Sequence, residues 1–207
     1  MNPSGANVYV AAGGVAVIDA VTNTVVATID ITATDVAFNP TGTRAYVTNE
    51  GGNTISVIDV VSNTVITAVT VGSNPSAVAV DATGARAYVT SGSSNSVSVI
   101  DTATNTVAAM VTVGSNPSGV ALNPPGTRVY VTNGGSNSVS VIDTATNTVV
   151  ATVTVGSNPS GVALNSRGTR VYVTNRDSDS VLVIDTVTNA VLTTLQVGGV
   201  PLAIAVR

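Results

Sequence analysis

The chain contains no cysteine, no histidine and no lysine, and these absences remove much of the chemistry that proteins commonly use. Without cysteine there is no disulfide, no thiolate nucleophile and no Cys-ligated metal. Without histidine the commonest general base and the commonest metal ligand are missing. We therefore expect no cofactor, and a haem group in particular would find only Met1 and Met110 as sulfur ligands.

Charge is also scarce, with 9% charged residues and a formal net charge of −4. The seven basic residues are all arginines and form no basic stripe, so we do not expect nucleic acid as a partner. No apolar run approaches the ~20 residues of a membrane-spanning helix, which argues against membrane insertion. Met1 to Gly5 do not begin a signal peptide, so an exported protein would contain this chain as a mature or excised piece.

What the chain does contain is an internal repeat. Near-identical units begin at Val71, Val113 and Val155, a spacing of 42 residues, a shorter relative begins at Ile31, and a partial unit opens the chain. β-Branched residues dominate each unit, and clusters of Gly, Asn, Pro and Ser separate four short runs, which we label strands A to D. Four antiparallel strands in every ~40–45 residues predict the blade of a β-propeller.

The two ends of the chain predict an all-β, five-bladed propeller of four-stranded antiparallel blades in one domain, 1–207. The chain opens just before a strand B and finishes with a strand A at 202–206. We expect this C-terminal strand A to join the N-terminal strands B, C and D and close the ring, which would hide both sheet edges. The approximate blade limits are 1–31 with 197–207, 32–70, 71–112, 113–154 and 155–196.

Two alternatives to a closed monomer stay open. The chain could be an excised part of a larger propeller. The terminal strand could instead pair with a neighbouring chain and give a swapped oligomer.

The motif Tyr-Val-Thr-Asn recurs at Tyr46, Tyr130 and Tyr172, together with Ser-Val-Ile-Asp and Asn-Thr-Val blocks. On these motifs the chain resembles the YVTN β-propeller repeat family over nearly its whole length, although the units at Tyr9 and Tyr88 depart from the motif. The resemblance implies an extracellular or cell-surface location, as in archaeal and bacterial surface-layer proteins. Related propellers include lactonase-like and cytochrome-associated members, so the resemblance implies a fold more firmly than a function.

An arginine opens strand B and an aspartate closes strand C in four of the units. Antiparallel register would place the two opposite each other, where opposite charges stabilise a sheet by ~0.2–1 kcal/mol. Because the pair recurs from unit to unit, we interpret it as structural. The pairs are Arg44 with Asp59, Arg86 with Asp101, Arg128 with Asp143, and Arg170 with Asp185, while Asn7 faces Asp19 in the first unit.

A tyrosine also recurs in every unit. We interpret Tyr9, Tyr46, Tyr88, Tyr130 and Tyr172 as packing anchors between blades, with an aromatic binding ring as the competing interpretation.

Residues that differ between units are better candidates for function. In a propeller the B–C and D–A loops share one face, which would carry Glu50, Arg176, Asp177 and Asp179, with Asp30 and Asp35 nearby. Asp177, Asp179 and Glu50 are candidates for a cation site, and solvated loop charge is the competing interpretation. No residue is assigned to catalysis or cofactor binding, because Glu50 has no His, Lys or Cys to act with.

These observations favour a non-catalytic cell-surface or secreted scaffold, either structural or protein-interacting, whose partner is an unknown protein or glycan at the cell surface. One alternative is a propeller that binds a glycan or small ligand on the loop face or in the channel. Another is a lactonase-like hydrolase. A metal-dependent hydrolase needs several carboxylates at the channel mouth, where strand A and its loops supply only Asp35 and Asp81, so the inventory disfavours it.

Overall fold

The computed structural model describes residues 1–206 and consists of five antiparallel sheets, with no α-helix in that range. Four of the sheets have four strands and the first has three. The all-β architecture of repeated four-stranded sheets predicted from the sequence is confirmed. No helix in the described range is long and apolar enough to cross a bilayer.

Consecutive strands pair in chain order within each sheet. Sheet 1 contains β1 (Asn7–Ala11), β2 (Val15–Asp19) and β3 (Thr24–Ile29). Sheet 2 contains β4 (Val36–Phe38), β5 (Arg44–Asn49), β6 (Thr54–Asp59) and β7 (Thr64–Thr70). Sheet 3 contains β8 (Pro75–Val80), β9 (Arg86–Ser91), β10 (Ser96–Asp101) and β11 (Thr106–Thr112). Sheet 4 contains β12 (Pro117–Leu122), β13 (Arg128–Asn133), β14 (Ser138–Asp143) and β15 (Thr148–Thr154). Sheet 5 contains β16 (Pro159–Leu164), β17 (Arg170–Asn175), β18 (Ser180–Asp185) and β19 (Val191–Gln196).

The strands are apolar on both faces because each inner sheet packs between two neighbours. On β14, Val139 and Val141 belong to a cluster with Val173 of sheet 5. Ile142, on the opposite face, packs in a cluster that contains Tyr88 of sheet 3. Fully burying such a side chain stabilises the fold by about 1.5–3 kcal/mol. A single sheet with two apolar faces therefore depends on the sheets beside it.

The loop between strand D and the next strand A contains a residue in the left-handed conformation. Asn74, Asn116 and Asn158 have φ of 58°, 51° and 50° there, and Val200 has φ of 58° at the corresponding position. Asparagine tolerates this conformation, whereas a β-branched residue is strained in it. The backbone N–H of each residue donates to a side-chain oxygen of the preceding B–C loop, on Asn53, Asn95, Asn137 and Asp179 respectively.

Residues 201–206 occupy the inner-strand position beyond sheet 5. Inside the array, the Ser118 hydroxyl donates to the carbonyl oxygens of Pro159 and Ser160 on the next inner strand, at 3.2 and 3.4 Å. The Ser160 hydroxyl repeats this arrangement by donating to Pro201 and Leu202, at 3.3 and 2.9 Å. The segment therefore lies where the inner strand of a further sheet would begin.

The predicted closure of the ring is not found in the part of the chain that the structure describes. Residues 201–206 form no strand, and the ladder of β1 runs to β2 alone. Each end contacts its own chain neighbour: hydroxyl groups hold the tail on β16, and β1 contacts β4. Pairing of the tail with β1 would have to be added across the gap between the first and last sheets. Sheet 1 consequently lacks an inner strand. Arg207, the last residue of the predicted segment 197–207, lies outside the described residues.

Replacing Val200 by asparagine should stabilise the protein. Val200→Asn puts into the left-handed position the residue that the other loops use there, and relief of β-branched strain should raise the free energy of unfolding by about 1 kcal/mol. Urea denaturation measures the change. Val200→Ala is the control, because alanine is also disfavoured at positive φ and should recover less. Equal or lower stability of the Asn variant would contradict this interpretation of the loop.

Candidate functional site

The residues that differ between units lie in loops at one end of the sheets. Glu50 begins the 3-10 turn Glu50–Gly52 of sheet 2, and Arg176 and Asp177 belong to the corresponding turn Arg176–Ser178 of sheet 5. Glu50 borders an open depression of about 650 Å³, and its carboxylate accepts a long hydrogen bond of 3.5 Å from the Thr34 hydroxyl. The depression is also lined by Gly13, Thr32, Ala33, Gly51 and Asn74.

The three candidate cation ligands lie in two different loops. Asp177 and Asp179 share the loop of sheet 5, whereas Glu50 belongs to the loop of sheet 2. Asp179 Oδ1 accepts from the backbone N–H of Val200 at 2.8 Å, the role that asparagine fills in the other loops. Asp177 Oδ2 accepts from Asn158 Nδ2 at 3.2 Å. Residues 1–206 contain no group of three or more His, Cys, Asp or Glu side chains placed to hold a metal ion.

Asp35 has a structural role that the sequence analysis did not anticipate. Its Oδ1 accepts from the backbone N–H of Val36 at 2.8 Å, and its Oδ2 accepts from Val78 on the inner strand of sheet 3 at 2.9 Å. One carboxylate thereby joins the inner strands of two sheets. The sequence did contain a signal for this role, because Asp35 stands where the later units have glycine, at Gly119 and Gly161. All three residues donate their backbone N–H to the threonine hydroxyl of strand B.

The other acidic candidates remain local. Asp81 Oδ1 accepts from the backbone N–H groups of Thr83 and Ala85, at 3.1 and 3.0 Å, inside its own turn. Asp30 is exposed in the loop before sheet 2.

Each predicted Arg–Asp pair lies in the expected register, but the charges meet in only part of the set. Cα partners are Arg44 with Asp59, Arg86 with Asp101, Arg128 with Asp143, and Arg170 with Asp185. Within residues 1–206, ion pairs form between Arg128 and Asp143 and, at 2.7 Å, between Arg170 and Asp185. Arg86 instead donates from Nη1 to the carbonyl oxygen of Thr144 in sheet 4, at 2.8 Å, so this arginine links sheets.

The aspartates at the ends of the C strands also hold the C–D turns. Asp143 Oδ1 accepts from the backbone N–H groups of Ala145 and Thr146, both at 3.0 Å. The hydrogen bond from the Thr146 backbone is the main cause that lowers the pKa of Asp143, and the Arg128 charge contributes less. Backbone hydrogen bonds likewise lower the pKa of Asp19, Asp59, Asp101 and Asp185. These carboxylates therefore stabilise the C–D turns of the folded chain.

Four of the five repeated tyrosines are buried between sheets, and Tyr172 on the last sheet is half-buried. Tyr9 packs edge-on against Phe38, with ring centroids 5.0 Å apart, and its hydroxyl donates to Asn63 Oδ1. Burial raises the pKa of Tyr9, Tyr46, Tyr88 and Tyr130. The geometry is that of packing anchors between sheets.

Repeated four-stranded sheets packed face to face define the chain as a protein of the β-propeller class. Residues 33–201 match the family model described as lactonase, 7-bladed β-propeller. The chain therefore belongs to this lactonase-type propeller family, and its described part contributes five sheets.

Solved structures show the same fold in proteins of low identity. A protein of unknown function from Desulfotomaculum acetoxidans matches 98% of this chain and 73% of its own, with 17% identity and a TM-score of 0.81. Hydrazine synthase from Kuenenia stuttgartiensis matches 98% of this chain and 87% of its own, with 18% identity and a TM-score of 0.72.

One curated protein is similar over a short segment. PE-PGRS family protein PE_PGRS18 from Mycobacterium tuberculosis is 58% identical over 43 residues, which is 21% of this chain and 9% of that protein. The match spans about the length of one repeat unit, so the chain covers only a small part of that relative.

Asp179 should behave as a loop-forming residue. Asp179→Asn keeps a side-chain oxygen for the Val200 N–H and should leave the melting temperature unchanged. Asp179→Ala loses this hydrogen bond and places alanine at φ of 48°, which should lower the free energy of unfolding by about 1–2 kcal/mol. Thermal melting with and without millimolar calcium measures both variants. A calcium-dependent rise in the wild type that Asp179→Asn abolishes would instead identify a cation site.

The turn aspartates should make the fold acid-sensitive. Their folded-state pKa values are lowered, so the stability they contribute is present above the unfolded-state pKa of ~3.9 and is lost as pH falls through the folded-state pKa. We expect the melting temperature to fall on acidification below about pH 4. Asp101→Asn with Asp143→Asn keeps the acceptor oxygens without the titration and should flatten the decline. An unchanged pH profile in that double variant would contradict this origin.

Proposed function

We propose that the chain is a non-catalytic scaffold, structural or protein-interacting, that works at the cell surface or in secreted form. One observation carries the proposal: two of the acidic side chains that differ between units are used by the fold itself. Asp35 joins two inner strands, and Asp179 holds the loop at Val200. A catalytic carboxylate needs a partner group and a free oxygen aimed at a substrate, whereas these two carboxylates accept hydrogen bonds from backbone amides of the fold.

The finer family assignment and the location are part of the same proposal. The recurring Tyr-Val-Thr-Asn motif supports membership of the YVTN repeat type. Through that resemblance it also supports an extracellular setting. The charged fraction of 9% and the loops rich in Ser, Thr and Asn fit a scaffold that presents a neutral polar surface.

A hydrolase is the second candidate, and the family match favours it. Glu50 would be its residue, since the carboxylate borders the depression on the loop face. Glu50 could act there as a base on a water molecule. Its neighbour is the Thr34 hydroxyl, and the side chain has no His, Lys or Cys to complete a catalytic set. The chemical inventory therefore supports the scaffold over the enzyme.

An activity panel separates the two candidates. Purified protein is incubated with aliphatic, aryl and sugar lactones and with 4-nitrophenyl esters, with and without divalent cations, and hydrolysis is followed by pH indicator and absorbance. We expect rates equal to those of buffer alone. Glu50→Gln is the matched variant, because the amide keeps the size and removes the base. Turnover that this variant abolishes would overturn the scaffold proposal in favour of the hydrolase.

A further inference from the structure

A groove between sheets 3 and 4 is lined by hydroxyl groups. Its volume is about 430 Å³, and β11, β14, β15 and their adjoining loops form its walls. Small-molecule sites have volumes of ~300–1,000 Å³, so the groove has the size of a binding site. None of its lining residues is charged. The hydroxyl-bearing residues are Thr112, Ser136, Ser138, Ser140, Thr152 and Thr154.

A fully buried asparagine orients the inner wall of the groove. Asn133 is 0% exposed, and its Nδ2 donates to the hydroxyl oxygens of Ser138 and Ser140, at 3.1 and 3.0 Å. Since Asn133 supplies these protons, Ser140 keeps its own hydroxyl proton for another acceptor. Asn133 Oδ1 has no hydrogen-bond partner in the described chain. Asn175 Oδ1 of sheet 5 likewise has no partner within residues 1–206, so this atom is a feature of the repeat, and the polar capacity of the groove comes from its own hydroxyl groups.

The groove is a property of one sheet interface. Ser140 and Thr152 are cross-strand partners on β14 and β15. In sheet 5 the partner of Thr194 is Leu182, which is 6% exposed and puts methyl groups where sheet 4 has a hydroxyl. The pairs in the other sheets are Ala16 with Thr28, Ser56 with Ala68, and Ser98 with Met110. At this cross-strand position, sheet 4 alone among the five has a hydroxyl on both partners.

We propose that this groove binds a small neutral polyhydroxylated molecule, a mono- or disaccharide. An ion would lose its hydration shell there without meeting a charge of opposite sign. An apolar ligand would displace water from the exposed hydroxyls of Thr112, Thr152 and Thr154 without replacing its hydrogen bonds. A neutral sugar supplies donors and acceptors to match the serine and threonine side chains. The site lies between two sheets and reaches the loop face at Gly114 and Ser136, and binding of a sugar there goes beyond the scaffold function.

The repeat itself provides the variants for a test. Ser140→Leu introduces the residue that sheet 5 has at this position, and Thr152→Met introduces that of sheet 3, so both substitutions fit the fold. The probes are D-glucose, D-galactose, D-mannose, maltose and lactose, with gluconate and glucosamine as charged comparisons. Saturation-transfer NMR detects binding, and titration calorimetry measures the affinity.

We expect wild-type protein to bind at least one neutral sugar, and each variant to bind it about tenfold more weakly or not at all. Ser98→Leu, in sheet 3, should retain wild-type affinity. Melting curves check that the variants are folded. Absence of binding by every neutral probe to wild type would overturn the proposal, as would binding that Glu50→Gln abolishes while Ser140→Leu retains it. Neither outcome bears on the hydrolysis test.

Discussion

The whole structure depends on the burial of β-branched side chains between adjacent sheets. Each interior sheet is apolar on both faces, and four clusters join the five sheets in chain order, each combining residues of two neighbours. No sheet could bury its faces alone, so the fold is stable only as an array. Small valine and alanine side chains permit the close stacking, and one tyrosine in each of the first four sheets supplies the larger volume that fills the interface.

This dependence limits where function can arise. A side chain that recurs from sheet to sheet stabilises the fold: turn aspartates accept hydrogen bonds from backbone amides, and tyrosines pack between sheets. Even Asp179, which differs from the other units, accepts the same backbone hydrogen bond that asparagine accepts at the equivalent position, Asn137. Only a difference that leaves packing intact can add chemistry. Asp35 shows how narrow that freedom is, since its carboxylate joins two strands on the inner side of the array.

Much of the fold follows from the sequence because the determinants are local. The predicted strands Arg128–Asn133 and Ser138–Asp143 coincide with β13 and β14, since turn residues bound both. The register of Arg128 with Asp143 follows from the hairpin length. Individual side-chain partners do not follow, because a long arginine can choose among acceptors: Arg86 reaches the carbonyl of Thr144 on another sheet.

The sequence also could not establish whether the ring closes. That the two ends are complementary is a statement about pattern, whereas pairing requires them to approach across the whole array. The structure agrees with one part of the prediction, because residues 201–206 lie in the inner-strand position beside Ser160. The sequence predicted that Glu50, Asp177 and Asp179 lie on one face. It could not predict which groups donate hydrogen bonds to these carboxylates, because those contacts depend on how neighbouring loops pack.

The groove between sheets 3 and 4 illustrates what the sequence conceals in a repeat protein. A comparison of units reveals that Ser140 corresponds to Leu182, but it does not reveal a cavity. Ser140 is 1% exposed, and a hydroxyl buried there is less favourable than leucine methyl groups unless it is fully hydrogen-bonded. Sheet 5 shows that leucine fits this position in the same backbone. Serine holds the same position in sheets 2 and 3, at Ser56 and Ser98, so what distinguishes sheet 4 is the threonine opposite it, Thr152. Under the proposal, a bound sugar uses both hydroxyl groups.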